Sequence, residues 1–483
     1  MNESTGARAI MWAYLCTGIA IFGLMALVGV ALRAEQAGWI AYGAGIFYAF
    51  MTLHGAGMIV AMALCGMGGL WFIMDRERAM DRGVAWSAYG AIVLGVLCVI
   101  LSTVAGRFGA AWTFLYPLPF LGTTWPSWAT GTFLIGIALV TLGWTVYCVQ
   151  LLGCVLARYG GIRGAVAWDL VFHHDAFVAS GRPEPPPHAF AALVTAVDGL
   201  FAVVGGMLVG VALIVHWIAP SVAIDPLWAK NLTYEFGHTF ANLTIYMAIA
   251  FVYVALPRYA NREWHTSPVL ALAWWGTLLF VATAYFHHLY MDFVQPRGVQ
   301  YLGEVASYLA AFPPAVVTIF GGALLVYRST MRWTMGSVFL YAGLVGWLVG
   351  GVGALIDATI PINFSLHNTL WVPAHFHTYL LEGVALFVFG WTFANLEARS
   401  GLVTALWTRW AVGLGIFGGG ALLLLGWYVA GADSVPRRYA VQPSPGPAIA
   451  AWACAGAILL ILGLAICLVE ALRLARAKPR LPA

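Results

Sequence analysis

The chain has 483 residues, of which 62% are hydrophobic and only 9% are charged. So much apolar surface cannot be hidden in a water-soluble core, and so few charges cannot cover one, which excludes a soluble globular protein. The formal net charge of +4 is small, and we predict no nucleic-acid partner. The chain is therefore predicted to be an integral membrane protein surrounded by membrane lipid.

Apolar runs of about 20 residues or more, long enough to cross about 30 Å of hydrocarbon as a helix, recur along the chain. They predict an all-α protein, a bundle of twelve transmembrane helices. The chain shows no repeat or low-complexity tract, so residues 1–483 are predicted to form a single membrane domain. The predicted spans are about 9–32, 38–74, 84–106, 127–157, 189–218, 228–257, 266–290, 300–328, 333–358, 368–397, 406–430 and 447–475.

The basic residues predict the orientation of the bundle, because cytoplasmic loops carry the excess of Lys and Arg. With the N-terminus inside, most of the 23 basic residues lie on the inner side. This bias predicts that both termini are cytoplasmic. The six basic residues left outside are Arg33, Arg107, Lys230, Arg297, Arg437 and Arg438.

Histidines are concentrated in or beside the predicted spans. His375 and His377 lie in the apolar stretch WVPAHFHTYLLEG. Residues two apart on an α-helix point about 200° away from each other, so this pair can address two flat cofactors on opposite sides of one helix. Adjacent His287 and His288, with a third imidazole from a neighbouring helix, make a three-nitrogen site that copper, iron or zinc accepts. The alternative for each histidine is a hydrogen bond to a neighbouring helix.

Taken together, these motifs resemble the catalytic subunit of the heme-copper oxidase superfamily, and its B-type oxidases in particular. The resemblance spans residues 10–475 and implies the twelve-helix fold of subunit I in that superfamily. The matching stretches are TLHG at 52–55, GH at 237–238, FHH at 286–288, HNTLWVPAHFH at 367–377 and PRRY at 436–439.

The resemblance implies two hemes and one non-heme metal in the outer half of the membrane. His54 and His377 would be the axial ligands of a low-spin heme, and His375 the single proximal ligand of a five-coordinate, high-spin heme. The heme types stay open. Copper is favoured over iron as the non-heme metal, and its ligands would be His238, His287 and His288.

The resemblance also implies partners for the hemes and for the chain. Arg437 and Arg438 would pair with heme propionates, while His367 is either a further propionate partner or a structural hydrogen-bonding residue. The chain has no CxxCH motif and no cupredoxin-like Cys/His/Met cluster, so electrons would arrive through a cupredoxin-like or cytochrome c-like second subunit. The implied location is the bacterial or archaeal cytoplasmic (inner) membrane.

The sequence departs from the oxygen-reducing pattern at Asn242. A- and B-type oxidases have a redox-active tyrosine at this position, four residues after the histidine that corresponds to His238. C-type oxidases place their tyrosine on the seventh helix, where residues 262–283 contain none. Tyr246 and Tyr285 are the nearest phenols in the sequence, and either could be plain packing.

The loss of this phenol favours nitric oxide over O₂ as the substrate. The coupling of two NO molecules to N₂O needs two electrons and two protons but no O–O cleavage. We therefore predict a respiratory nitric oxide reductase, with a terminal oxygen reductase as the alternative. A heme or metal transporter is a distant alternative, because no inverted repeat is visible. The Asn242 carboxamide either hydrogen-bonds a reaction intermediate or fills space.

Two carboxylates are candidates for proton transfer. Glu235 lies one turn outside His238 and either receives protons from outside or is an acid favoured by the helix N-terminus. Glu382, five residues inward of His377, is predicted to load protons or to hydrogen-bond, since an unpaired carboxylate at that depth is costly. Pro314 and Val317 stand where the B-type proton path from the cytoplasm has hydroxyl groups, so that route looks interrupted.

Overall fold

The computed structural model describes residues 5–110, 124–291 and 295–478. Within these ranges, twelve helices are long and apolar enough to cross a membrane, which confirms the all-α prediction and the predicted number of spans. In chain order, helices α1 to α12 are Thr5–Gln36, Ala44–Glu77, Arg82–Ala105, Ser127–Tyr159, Pro187–Ile218, Pro226–Ala260, Pro268–Leu289, Arg297–Val326, Met335–Ala358, Trp371–Ser400, Leu406–Ala432 and Gly446–Arg476.

The second helix begins later than the hydropathy predicts. The predicted span starts near residue 38, whereas α2 begins at Ala44. Gly38 and Gly43 have φ angles of +73° and +82°, a region that an α-helix of L residues does not use. These two glycines turn the chain between α1 and α2, so the predicted start was wrong although the residues between them are largely apolar.

Local signals in the sequence account for several other helix ends. Asp225 caps α6 by accepting a hydrogen bond from the Trp228 amide at 2.7 Å, and Ser267 caps α7 at the Leu270 amide at 3.1 Å. At the other end of a helix, Gly401 adopts the left-handed conformation after α10. These caps satisfy backbone groups that would otherwise be exposed at the helix ends.

Three helices form the centre of the bundle. In the most apolar window of α2 and of α6, 89% of the residues are buried, and in that of α10 the share is 83%. No other membrane helix of the described chain exceeds 50%. Because the central helices are shielded from lipid, polar side chains on them can face one another, and these three carry His54, His238, His375 and His377.

The long connection between α4 and α5 contains three short helices, Ile162–Ala165, Trp168–Phe172 and His174–Ala179. Asp169 accepts hydrogen bonds from Arg163 at 2.7 Å and from Arg182 at 3.1 Å. Those hydrogen bonds, with the Arg163 bond the stronger influence, hold the pKa of Asp169 below its ordinary value.

His188 is buried although it directly follows the polar connection between α4 and α5. It lies in the first turn of α5 and is only 9% exposed. Its Nε2 is 3.3 Å from Oε1 of Glu77 at the end of α2. The hydropathy pattern could not reveal this burial, because the contact joins residues more than a hundred positions apart.

Candidate functional site

His54 of α2 and His377 of α10 face each other across a gap suited to one metal ion. Their ring centroids are 6.0 Å apart and their ring planes differ by 9°. His54 Nδ1 is 2.8 Å from the Met25 carbonyl oxygen, and His377 Nδ1 is 2.8 Å from the Pro373 carbonyl oxygen. If each Nδ1 donates its proton, both Nε2 atoms keep their lone pairs. A spacing of about 6 Å is what two imidazoles need when each nitrogen is about 2 Å from a shared metal.

The surroundings of this pair are closely packed. A Cβ atom added at Gly29 of α1 would lie 2.8 Å from His54 Cε1, so glycine is needed there for the close approach of the ring. Trp427 of α11 packs edge-on against His377 at 4.6 Å, and the Arg33 guanidinium lies 4.6 Å over the Trp427 ring. Arg33 was predicted only as an outside charge. Its position at the end of an apolar run was the available signal for a buried role.

His238, His287 and His288 come together as a three-nitrogen cluster. One ligand nitrogen from each residue lies within 4.8 Å of the others. The adjacent pair can converge because α7 ends in a tight 3₁₀ turn, Tyr285–Leu289, which brings the His287 and His288 rings to 4.0 Å. The donor set suits copper, iron or zinc.

His287 is held in place by hydrogen bonds on the side away from the cluster. Its Nδ1 is 2.6 Å from the Ala284 carbonyl oxygen and 2.9 Å from Ser307 Oγ on α8. A proton on Nδ1 leaves Nε2 free to bind a metal, and such outer contacts normally fix the orientation of a ligand histidine. Ser307 was not identified from the sequence.

His375 lies on α10 close to the carboxylate of Asp357. It is 6% exposed, and its Nε2 is 3.4 Å from Asp357 Oδ2. The two groups are within ion-pair range, but their orientation is not that of a hydrogen bond, and Nε2 has no aligned partner among the described residues. With Nε2 turned toward this carboxylate, Nδ1 is the ring nitrogen left to hold a heme iron. The single Asp in the apolar stretch GALIDATI was the overlooked signal.

One continuous cavity connects these groups. It is lined by all six histidines, by Asn242 and by both arginines of the PRRY stretch, Arg437 and Arg438. Glu235, Glu382 and His367 are not among its lining residues, so their predicted roles involve positions behind the cavity wall. The cavity is thus lined by nine of the twelve residues predicted as metal or heme ligands, propionate partners or catalytic groups.

The arginine stretch is tied to the start of α10. Arg437 donates hydrogen bonds through Nε and Nη2 to Asn368 Oδ1, at 3.1 and 2.7 Å. The Leu370 amide donates to the Val435 carbonyl oxygen at 2.9 Å. These contacts hold the loop beside the helix that carries His375 and His377, where guanidinium groups could pair with carboxylates of a bound heme.

Asn242 lies directly beside His238 on α6. Its Nδ2 donates to the His238 carbonyl oxygen at 2.8 Å and is 3.3 Å from His238 Nε2. The carboxamide therefore packs against the ring of a candidate metal ligand and lines the cavity.

Tyr234, Tyr246 and Tyr379 line the cavity, and Tyr285 lies two residues before His287; sequence reasoning identified two of these four tyrosines. Tyr246 lines the cavity, and Tyr285 donates a hydrogen bond to Asn231 Oδ1 at 3.3 Å. Sequence reasoning missed Tyr234, whose ring is 5.4 Å from that of His288, and Tyr379, which also lines the cavity. Tyr234 is four residues before His238, so helical spacing could have found it.

Glu235 and Glu382 are both buried against glycine. They are 7% and 8% exposed, and neither Glu235 oxygen nor Glu382 Oε1 has a hydrogen-bond partner among the described residues. A Cβ atom at Gly205 would overlap Glu235 Oε2, and one at Gly420 would overlap Glu382 Oε1. A carboxyl group buried without a hydrogen-bond partner is costly, which makes these two glutamates candidates for a functional rather than a packing role.

Hydroxyl groups lie near Pro314 and Val317, the residues that interrupt the expected proton route. The Tyr253 hydroxyl and Thr318 Oγ1 are 2.5 Å apart, and Trp274 Nε1 donates to Tyr253 at 3.1 Å. Thr318 directly follows Val317 on α8. A hydroxyl group is therefore present one residue after the position where Val317 lacks it.

Comparisons with known proteins agree on one family. The family described as "Cytochrome C and Quinol oxidase polypeptide I" matches residues 9–464. Cytochrome c oxidase subunit 1 of Thermus thermophilus is 25% identical over 83% of this chain and 70% of its own length. The probable quinol oxidase subunit 1 of Staphylococcus aureus is 24% identical over 82% of this chain, which spans only 58% of that relative.

A solved structure has the same fold. A chain of a heme-copper terminal oxidase dimer superposes with a TM-score of 0.82 at 21% identity, covering 99% of this chain and 85% of that chain. This likeness confirms the expected subunit I fold of twelve helices.

Proposed function

This chain belongs to the cytochrome c and quinol oxidase polypeptide I family, and we propose that it is the catalytic subunit of a nitric oxide reductase. The reaction is 2 NO + 2 e⁻ + 2 H⁺ → N₂O + H₂O. Its twelve apolar helices make it an integral membrane protein. We assign it to the cytoplasmic membrane, with both termini inside and the active site in the outer half.

The observation that carries the choice of NO is Asn242. Its amide nitrogen lies 3.3 Å from His238 Nε2. By the resemblance to A- and B-type oxidases, this is the position at which those enzymes have a tyrosine. A carboxamide cannot be oxidised to a radical, so this position cannot supply the electron and proton that O–O cleavage draws from tyrosine. Formation of an N–N bond has no such requirement.

The side chains around the cavity divide into holding and proton-carrying groups. When bound, two hemes and a metal ion, copper rather than iron, would supply electron transfer and gas binding. His54 and His377 would hold the low-spin heme and His375 the high-spin heme, while Arg437 and Arg438 would neutralise propionates, with His367 as a further propionate partner. The metal ligands would be His238, His287 and His288.

Protons would be carried by the two buried carboxyl groups. Glu235, one turn from His238, would pass protons arriving from outside, and Glu382 would hold a proton near the low-spin heme. Electrons would come from a cupredoxin-like or cytochrome c-like second subunit. The reaction would then consume outside protons without pumping.

An oxygen reductase is the second candidate, and two observations favour it. Tyr234 places a phenol ring 5.4 Å from His288, so the cluster has an oxidisable neighbour on a different ligand. The curated relatives are also oxidases by name.

The two candidates differ in a direct assay. N₂O formation and O₂ consumption are measured on the purified complex with the same electron donor. We expect rapid N₂O formation and slow or incomplete O₂ reduction. Rapid reduction of O₂ to water with negligible N₂O would refute the proposal, and a loss of that activity in Tyr234→Phe or Tyr246→Phe would identify the phenol that replaces the missing one. Absence of a CO-reactive high-spin heme would instead favour a transporter.

A further inference from the structure

Asp357 is a buried acidic residue that has no part in the proposed reaction. It lies one residue before the end of α9 and is only 1% exposed. Burial of a carboxylate this deep is costly unless nearby groups stabilise its charge. Its position next to His375 makes the high-spin heme ligand the group most affected by that charge.

The carboxylate of Asp357 is held in a defined orientation. Asn363, itself 1% exposed, donates from Nδ2 to the Asp357 carbonyl oxygen at 2.7 Å and lies 3.4 Å from Asp357 Oδ1. The same Nδ2 is 3.5 Å from the carbonyl oxygen of His287. With Oδ1 on the Asn363 side, Oδ2 faces His375 Nε2 at 3.4 Å. Asn363 thereby links the carboxylate to the segment that carries a candidate metal ligand.

We propose that Asp357 is a positioning residue that sets the reduction potential of the high-spin heme through His375. A negative charge beside an axial imidazole increases electron donation to the iron and stabilises the ferric over the ferrous form. Carboxylate–histidine–metal arrangements act in this way in other metalloproteins. The carboxylate therefore lowers the potential of this heme relative to that of the low-spin heme, whose ligands His54 and His377 bond through Nδ1 to neutral backbone carbonyls.

The direction of the effect follows from the asymmetry between the two sides of α10. His377 faces a neutral partner, whereas His375 faces an anion in a water-poor interior where charge interactions are strong. This inference rests on the assignment of His375 to the high-spin heme in the proposed function. It does not depend on whether the gas is NO or O₂.

The test is Asp357→Asn, which removes the charge and keeps the shape. Redox titration of the purified complex should show the midpoint potential of the high-spin heme rising by at least the equivalent of a tenfold shift in the ferric/ferrous ratio, about 59 mV for one electron. The potential of the low-spin heme should stay within a third of that shift. Resonance Raman spectra of the ferrous enzyme should show a lower iron–histidine stretching frequency.

Two further variants separate charge from packing. Asp357→Glu keeps the charge and should restore the native potential. Glu397→Gln is the matched control: Glu397 accepts hydrogen bonds from Thr334 at 2.7 Å and Tyr259 at 2.8 Å at the other end of α9. The Glu397→Gln variant should lower the thermal stability of the complex without changing the reduction potential of the high-spin heme.

Several outcomes would overturn the inference. These are an unchanged potential in Asp357→Asn with the CO-binding heme intact, an equal shift in Glu397→Gln, or loss of the heme in both Asp357 variants. Failure of the nitric oxide assignment has a different signature, because rapid O₂ reduction with negligible N₂O would leave the potential shift in Asp357→Asn in place. Retention of the CO-binding heme in His375→Ala would instead refute the ligand assignment on which the inference rests.

Discussion

Gly29→Ala tests the heme-ligand assignment of His54 without altering any ligand. The added methyl would lie 2.8 Å from His54 Cε1, whereas ordinary contacts begin at 3.4 Å, so the ring must move by about 0.6 Å. Overpacking of this kind costs about 1–3 kcal/mol. Since about 1.4 kcal/mol corresponds to a factor of ten, we expect affinity for the low-spin heme to fall by about 5- to 150-fold. The heme held by His375 should be unaffected.

The assay for this prediction is the optical and electron paramagnetic resonance spectrum of the purified complex. The low-spin bands should weaken per mole of protein, while the CO-difference spectrum of the high-spin heme keeps its amplitude. Gly23→Ala on the same helix is the control, because nothing lies within 4 Å of a Cβ atom there. Both changes gain the same helix propensity, about 0.8–1 kcal/mol. Identical spectra in the two variants would refute the close packing of Gly29 against a ligand histidine.

The remaining predictions concern the other ligands and the protons. His54→Ala and His377→Ala should each lose the low-spin heme while His375→Ala loses the CO-binding heme, and loss of the same heme in all three would refute the two-sided use of α10. Alanine at His238, His287 or His288 should remove the non-heme metal, measured as copper or iron per protein by X-ray fluorescence, with both hemes retained; a full metal content would contradict the cluster. Glu235→Gln should slow NO turnover and its proton uptake from outside at least tenfold, while Tyr253→Phe, beside Thr318 and the interrupted route, leaves both unchanged. A membrane potential generated during NO turnover in vesicles would point to the inner route instead.

Much of this protein could be predicted from the sequence because the membrane allows few solutions. In hydrocarbon each backbone amide must be satisfied within its own segment, so an apolar run of about 20 residues is a helix, and twelve such runs give twelve helices. The geometry of His375 and His377 follows from 3.6 residues per turn in the same direct way. The grouping of the histidines could be anticipated too, since polar residues are rare inside a membrane and these match the motifs of a known family; their roles as ligands stay predictions.

Contacts between distant segments were decided by tertiary structure. The sequence shows an Asp in α9 and a His in α10, but their 3.4 Å approach depends on how the two helices pack. The same holds for Gly29 against His54 and for Tyr234 against His288. The type of helix was also decided by tertiary structure. Residues Thr378–Ala385 form a π-helix after His377, so the Glu382 side chain leaves the helix in a different direction than it would from a regular α-helix. Hydropathy and periodicity describe which face of a helix is apolar, whereas the partner of a given side chain is selected only by the packing of the whole bundle.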